Sequence, residues 1–271
     1  MSTLSVSIVT YFSDVHQFKA TCAALFAAIA HARGEAGLTR ATITLIDNTE
    51  DGSDAAGMFK EISAGSVEIK VLSGHGNVGY GSGHNLSLLN SKADFHLVLN
   101  PDITMKRDAL TNALSLLAVR GDAVCITPKA VGEDGQFTSL CKRRASVRLL
   151  ALRAFAATSL KEKYKPLIDA YEYKGELGDA PMPIYTASGA FMLVRTKEAQ
   201  KVGGFDERFF LHFEDIDFSL RLHTHGQLLY APQVQVVHYG GNASKKHLKH
   251  LLINAWRYFA KWGLGDPLVR R

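Results

Sequence analysis

Short apolar runs alternate with stretches of helical spacing through the N-terminal part of the chain. Val6 to Tyr11 reads as a buried strand, and alanines and larger apolar residues recur at helical intervals from about Val15 to Arg33. The β-branched run Ala41 to Ile46 ends at Asp47-Asn48, and polar residues with Gly52 lead into a predicted helix containing Met58, Phe59 and Ile62. Val67 to Leu72 enters a glycine-rich loop followed by a helix from Asn85 to Leu89. Phe95 to Leu99 stops at Asn100-Pro101-Asp102, because proline removes a ladder donor and biases its predecessor against helix. Helical periodicity resumes from Arg107 to Leu117.

Strand and helix in this repeated alternation predict an α/β fold with a largely parallel, doubly wound sheet. Such sheets bind ligands beyond the carboxyl ends of their strands, so Asp47, the glycine loop and Asp102 are expected to open into one crevice. Beyond it, 141–174 is rich in Lys and Arg interleaved with leucine and alanine, predicting a pair of basic helices. Tyr185 to Val194 then reads as a strand, Asp215 to His223 as a helix, and Leu228 to Tyr230 and Val234 to His238 as two short strands. The tail from about Lys245 to Trp262 is amphipathic, with Leu248, Leu251, Leu252, Ala255, Trp256, Phe259 and Trp262 on one face.

Composition narrows the class. Of 271 residues 46% are hydrophobic, ample for a core, and 31 basic against 26 acidic residues leave +5, too mild to demand a nucleic-acid partner. Cys22, Cys125 and Cys141 are far apart, without disulfide or zinc spacing, which fits a reducing cytoplasm. No stretch approaches the roughly 18 apolar residues of a spanning helix, and the N-terminus has no signal-peptide pattern, so neither export nor membrane spanning is expected.

Taken one at a time, the candidate motifs allow more than one chemistry. Gly74-His75-Gly76-Asn77-Val78-Gly79 satisfies GxGxxG, but after the third strand rather than the first, which weakens a dinucleotide reading. Asp47 can hold a nucleobase or ribose, or cap its turn. Asp102 can ligate a hard divalent cation or open an Asx-turn, and His238 can be structural or complete a metal site. Glu214, Asp215 and Asp217 stand among bulky apolar neighbours, either as helix caps or as the setting of a general base.

Their order is more specific than any member. Asp47-Asn48, the Gly-Asn loop ending in His84-Asn85, Leu99-Asn100-Pro101-Asp102, Ser188-Gly189-Ala190-Phe191-Met192, Gly203 to Phe210, Glu214-Asp215-Ile216-Asp217-Phe218, Arg221 and His238 resemble the family 2 glycosyltransferases, nearest the bacterial rhamnosyltransferase-like subgroup. The resemblance spans about residues 5 to 244. It implies the GT-A fold, a mostly parallel Rossmann-like sheet flanked by helices. A nucleotide-binding half over about 1–128 would join an acceptor and catalytic half over about 129–244, with an amphipathic C-terminal helix over 245–271.

It also implies roles. Thr10, Asp47, Asn77, Gly79, Asn85, Asn100 and Asp102 would line the nucleotide and donor sugar. Asp102, with His238, would hold Mg2+ or Mn2+ on the diphosphate, although Asn100 replaces the first acid of the family DxD motif. Asp215 matches the base of an inverting transfer; Glu214 would support it or contact the acceptor, Asp217 would support it or pair with Arg221 along the helix, and Ser188, Gly189 and Ala190 would leave room for the sugar. The implied donor is dTDP-L-rhamnose first, with a UDP-hexose, UDP-galactofuranose or another deoxysugar nucleotide open. The acceptor would be a glycan or polyprenyl-linked sugar in surface polysaccharide synthesis. The basic segment and tail would then face the inner leaflet of the cytoplasmic membrane, or pack on the domain or on a second copy in a homodimer. An NAD-dependent oxidoreductase using the GxGxxG string, and a non-catalytic nucleotide-sugar-binding protein, are the readings of other classes.

Overall fold

The structure, a computed structural model, describes residues 1–52, 67–240 and 248–264. The expected helix around Met58, Phe59 and Ile62 lies outside them, as does most of the turn after His238. β1 (Ser2–Thr10), β2 (Leu38–Asp47), β3 (Glu68–Leu72) and β4 (Phe95–Leu99) form a parallel block in the order β3-β2-β1-β4. β11 (Phe191–Arg195) joins it antiparallel to β4 and to β6 (Ala123–Val131). The sheet continues through β12 (Gln227–His238), parallel to β6, to β5 (Ile103–Met105), antiparallel to β12. Two short strands, β7 (Phe137–Thr138) and β9 (Met182–Ile184), flank this path on β6 and β12, and β8 (Cys141–Lys142) pairs with β10 (Thr186–Ala187) in a small separate sheet.

Side-chain alternation decides which face goes where. Leu4, Val6 and Ile8 of β1 enter one core with Phe18, Cys22, Leu25 and Ile29 of α1 (Val15–Glu35), whose start is capped by the Asp14 carboxylate accepting from Gln17 N at 2.9 Å. The opposite face packs under α2 (Tyr80–Leu88). There the Ser7 hydroxyl lies 2.6 Å from His84 Nδ1 and 2.8 Å from His96 Nε2. Burial pushes His84 well below the ordinary imidazole range and His96 down to about 3, so both are neutral, and the hydroxyl ties α2 to β1 and β4 without a buried charge.

The remaining helices are α3 (Ala109–Val119), α4 (Val147–Phe155), α5 (Thr158–Lys163), α6 (Lys165–Tyr171), α7 (Thr196–Lys201), α8 (Glu214–Leu222) and α9 (Leu248–Trp262). A second core gathers Val98, Met192 and Val194 with Phe205, Phe218 and Leu222, and a third packs Leu149, Phe209, Phe213 and Tyr258 beneath α9. No helix among the described residues is long and apolar enough to cross a membrane. The three cysteines are buried and free.

Several boundaries differ from the sequence reading, each for a physical reason. α2 starts at Tyr80 rather than Asn85, because Gly81 and Gly83 admit Phe205 and Val9 so closely that a Cβ would sit 2.8 and 2.9 Å from them. The basic segment forms three short helices instead of two, and Tyr185 to Val194 is two strands separated by Ser188-Gly189-Ala190. The two expected strands near the C-terminus are one, β12, whose register slips between Ala231 and Gln235 around Pro232. β6 was not anticipated; the boundary at residue 128 falls inside it, and β11 of the second half pairs with β4 of the first, so both halves share one sheet. On α9 the buried stripe is Leu251, Asn254, Ala255, Tyr258, Phe259 and Trp262, whereas Leu252 and Trp256 face outward.

Asn85 shows how the layers are joined. Its amide donates to Phe205 O and accepts from Phe205 N, both at 2.8 Å, in a buried setting. Asn85→Leu leaves both backbone groups unpaired and is expected to cost about 2 kcal/mol. Thermal unfolding should show a midpoint roughly 4–8 °C lower; an unchanged midpoint would refute the pinning role.

Candidate active site

The carboxyl ends of the parallel strands converge as the topology requires. Thr10 pairs with Asp47 at the ends of β1 and β2, and Ile8 with Leu99, so Asn100-Pro101-Asp102 emerges beside them. β11 runs back antiparallel, which brings Ala190 and Gly189 to the same edge; Asn100 N donates to Ala190 O at 2.9 Å. β12 delivers His238 opposite Ile103, and Tyr239 N donates to Asp102 O at 3.1 Å.

A continuous set of polar contacts links these groups. His238 Nε2 lies 3.5 Å from Asp102 Oδ2. Burial alone would push the Asp102 carboxyl up; hydrogen bonding and attraction from His238, with a hydrogen bond from Asn100, outweigh it and hold Asp102 below the ordinary carboxylate range. Asn100 Oδ1 accepts from the Tyr80 hydroxyl at 2.7 Å, and the same hydroxyl lies 2.7 Å from Gly189 O. Burial first, then the nearby Glu214, Asp215 and Asp102 carboxylates, raise Tyr80 well above its usual range, so it stays a protonated donor. On the other side of the same residue, Gly189 N donates to Asp215 Oδ2 at 3.1 Å.

Glycine is required at two of these contacts. A Cβ on Gly189 would meet the Tyr80 ring at 2.8 Å. Gly79, at φ +91°, has Phe210 O only 2.5 Å from where a Cβ would stand, and Tyr80 N donates to that carbonyl at 3.0 Å. Asn48 Nδ2 donates to Gly79 O at 3.0 Å, and Asn77 Oδ1 accepts from Gly79 N at 3.1 Å, which shapes the glycine loop.

The three carboxylates of α8 have different environments. Asp215 is half-buried at the first turn, held by Gly189 N and by its neighbour Ile216 N at 2.8 Å. Glu214 is buried, and burial followed by repulsion from Asp215 raises it well above the ordinary carboxyl range. Asp217 is fully buried and receives Arg221 Nε at 2.8 Å, as its spacing suggested, but also Lys261 Nζ at 2.7 Å and Trp262 Nε1 at 2.8 Å, which the sequence did not announce. Just before α8, His212 and Phe213 are both left-handed, at φ +70° and +69°, a conformation costing on the order of 1–3 kcal/mol each for such residues.

Other expected site residues have structural partners. Asp47 is buried, with Oδ1 accepting from Thr49 N at 2.9 Å and Thr49 Oγ1 at 2.6 Å. Asn85 spends both amide ends on Phe205, and Ser188 N donates to Leu140 O at 2.7 Å. Tyr80 was missed by the sequence reading; its only signal there is an aromatic residue set among glycines.

The glycine string does not sit where a dinucleotide turn would. Gly74, Gly76 and Gly79 follow β3 at the sheet edge, whereas the first strand-to-helix turn, Tyr11-Phe12-Ser13-Asp14, contains no glycine. For a divalent cation the residues fit in part. Asp102 Oδ1 is buried without a hydrogen-bond partner and His238 is adjacent, giving two ligands of suitable chemistry. Among the described residues no cluster of three acidic, His or Cys side chains surrounds them, so further ligands would have to come from a bound diphosphate or water.

Because Glu214 is raised in the folded state, the unfolded chain releases its proton first as pH rises from about 4.3. Its contribution is therefore fully present below that pH and is lost on raising pH toward the folded value. Glu214→Gln should flatten the decline of thermal midpoint above pH 5 and raise the midpoint at pH 7.5. Parallel midpoint–pH curves for the two proteins would contradict the buried neutral carboxyl.

No protein-family model matches the chain. It is 27% identical over 220 residues, 75% of its own length and 78% of the relative's, to the rhamnosyltransferase WbbL of Escherichia coli strain K12. It is 26% identical over 258 residues, 85% of its length and 81% of the relative's, to the N-acetylglucosaminyl-diphospho-decaprenol L-rhamnosyltransferase of Mycobacterium tuberculosis. Among solved structures, GalNAc-T7 with UDP, GalNAc and Mn2+ superposes with a TM-score of 0.64 at 14% identity, over 96% of this chain and 49% of that one. The mannosyltransferase PcManGT of Pyrobaculum calidifontis, with GDP-Man and Mn2+, gives 0.61 at 13% identity, over 95% and 63%. The chain thus spans about half and under two thirds of those two solved proteins, which share its fold. Strand order, the edge cluster and these likenesses together make it a protein of GT-A fold that resembles the bacterial rhamnosyltransferases of glycosyltransferase family 2.

Proposed function

We propose that this chain transfers a sugar from a nucleotide diphosphate donor to a hydroxyl of a glycan or lipid-linked acceptor, with inversion at the anomeric carbon. The reading is carried by two sets of contacts that meet at Asn100-Pro101-Asp102: His238 beside Asp102, and Asn100 joined through the Tyr80 hydroxyl and Gly189 to Asp215. These contacts support a reading in which the half-buried Asp215 carboxylate and the residues that would face the diphosphate stand at one edge of the sheet. Asp215 accepts the proton of the acceptor hydroxyl as that oxygen attacks the anomeric carbon; the bond to the diphosphate breaks opposite, and the diphosphate leaves with the electron pair. Burial and repulsion from Asp215 raise Glu214 well above the ordinary carboxyl range, which opposes a second charge beside the base. Thr10, Asp47, Asn77 and Gly79 line the nucleotide side, and Ser188, Gly189 and Ala190 the sugar side. Asp102 and His238 would hold Mg2+ or Mn2+, which when bound offsets charge on the diphosphate.

Likeness to two rhamnosyltransferases favours dTDP-L-rhamnose as donor, ahead of a UDP-hexose or UDP-galactofuranose. The second relative's name supports an acceptor linked to a lipid through a diphosphate, as in surface polysaccharide synthesis. Such an acceptor lies at a membrane, which suits the outward face of α9. There Trp256 is 72% and Leu252 53% exposed, with Ile253 beside them, on a helix that has no acidic residue and packs next to the basic α4. We place the protein at the cytoplasmic face, bound peripherally.

Calorimetry against dTDP-, UDP- and GDP-sugars, with and without Mn2+ or Mg2+, tests the donor. One nucleotide class should bind in a metal-dependent way, and Asp102→Ala should abolish that dependence; NAD binding indifferent to Asp102 would reinstate the oxidoreductase reading. Asp215→Asn should cut turnover by at least about 100-fold, the scale of a lost general base, with donor affinity unchanged. Undiminished turnover in that variant would remove Asp215 as the base, whereas biological activity left intact by the substitution, with no turnover in the unaltered protein, would point to a non-catalytic binding protein. Cosedimentation with anionic vesicles should be strong, fall with salt, and weaken in Trp256→Ser; equal sedimentation of both proteins would refute the outward face as the contact.

A further inference from the structure

We infer that α9 is a positioning element of the active site, whose inward polar side chains hold the loop 206–217 in the conformation that presents Asp215. The inference rests on the transfer reading for its catalytic consequence, but its structural part stands alone.

The loop needs an outside hold. His212 and Phe213 are consecutive left-handed residues without glycine, directly before Glu214 and Asp215, so the loop's own sequence does not favour its path. α9 supplies the hold on both sides of Asp215. Ahead of it, Asn254 Nδ2 donates to Leu211 O at 2.8 Å, and Arg257, anchored on Asn254 Oδ1 at 3.1 Å, donates to Arg208 O. The Phe210 ring stacks on His250 with centroids 4.8 Å apart, and Phe213 packs on Tyr258 at 5.3 Å. Behind it, Lys261 bridges Asp206 at 2.8 Å and Asp217 at 2.7 Å, while the Trp262 indole N–H donates to the same Asp217 oxygen at 2.8 Å.

The composition of the stripe agrees. Asn254, only 1% exposed, interrupts an otherwise apolar face, a placement that makes sense only for the carbonyl it satisfies. The hold also reaches the donor side, because Phe210 O accepts from Tyr80 N, and the Tyr80 hydroxyl orders Asn100 and Gly189.

The test uses the full chain with Asn254→Leu, Trp262→Phe, which keeps the ring and removes the donor, and Lys261→Met with Lys261→Arg as the conservative control. Hydrogen exchange should rise over 207–216 in the first three and stay unchanged over α3, 109–119. In the transfer assay their kcat should fall about 10- to 100-fold, the range for a displaced catalytic group, with donor Kd within about twofold. Lys261→Arg should recover most of the lost kcat. Unchanged exchange over 207–216, or unchanged kcat where exchange has risen, would overturn the inference. If the unaltered protein transfers no sugar from any donor, the transfer reading fails, and the exchange data alone still decide whether α9 holds the loop.

Discussion

The Tyr80 hydroxyl is the contact on which the architecture of the candidate site depends. It sits within 2.7 Å of both Asn100 Oδ1 and Gly189 O, so one proton orders the edge of β4 and the turn entering β11. Asn100 stands two residues before Asp102, and through the Gly189 residue the hydroxyl reaches Asp215. The arrangement works only because Gly189 has no side chain to displace the ring and Gly79 lets the chain pass against Phe210. A neutral, half-buried donor is also the right group for this place, since a charged one would compete with whatever the carboxylates bind.

Much of the fold was legible from periodicity, because apolar runs on parallel strands are buried on both faces and stand out. Where it was not legible, a local signal had been overridden by packing. β6 carries Pro128 and Lys129 within its span and so lacks the uniform apolar run of β4, yet β11 and β12 pair with it on either side. α2 opens on Tyr80-Gly81-Ser82-Gly83, a poor helical sequence, and forms because its glycines let Val9 and Phe205 close on it. The tail's stripe was misphased because Trp256 and Leu252 are large and apolar; the helix buries Asn254 and Tyr258 instead.

The site was legible to the extent that its residues end strands. Asp47, Asn100, Asp102 and His238 announce themselves by standing just past apolar runs, and topology then gathers them. Residues that act through distant partners were not. Tyr80 reaches Gly189 across 109 positions, and Trp262 reaches Asp217 across 45. Nor could sequence separate the neighbours Glu214 and Asp215; burial raises the first well above the ordinary carboxyl range, while the second is only half-buried. The same physics explains α9. Its inner face carries donors where the loop before Asp215 presents acceptors, and its outer face is apolar where nothing covers it among the described residues.

As proposed, Asp215 assists a single displacement at the anomeric carbon. The most direct measurement is the anomeric configuration of the transferred sugar, read by NMR of the product made from the nucleotide diphosphate donor that binds. The account predicts a linkage of configuration opposite to that of the donor. A product that keeps the donor's configuration would contradict it, because retention requires a second displacement or a front-face attack in which Asp215 could not serve as the base described.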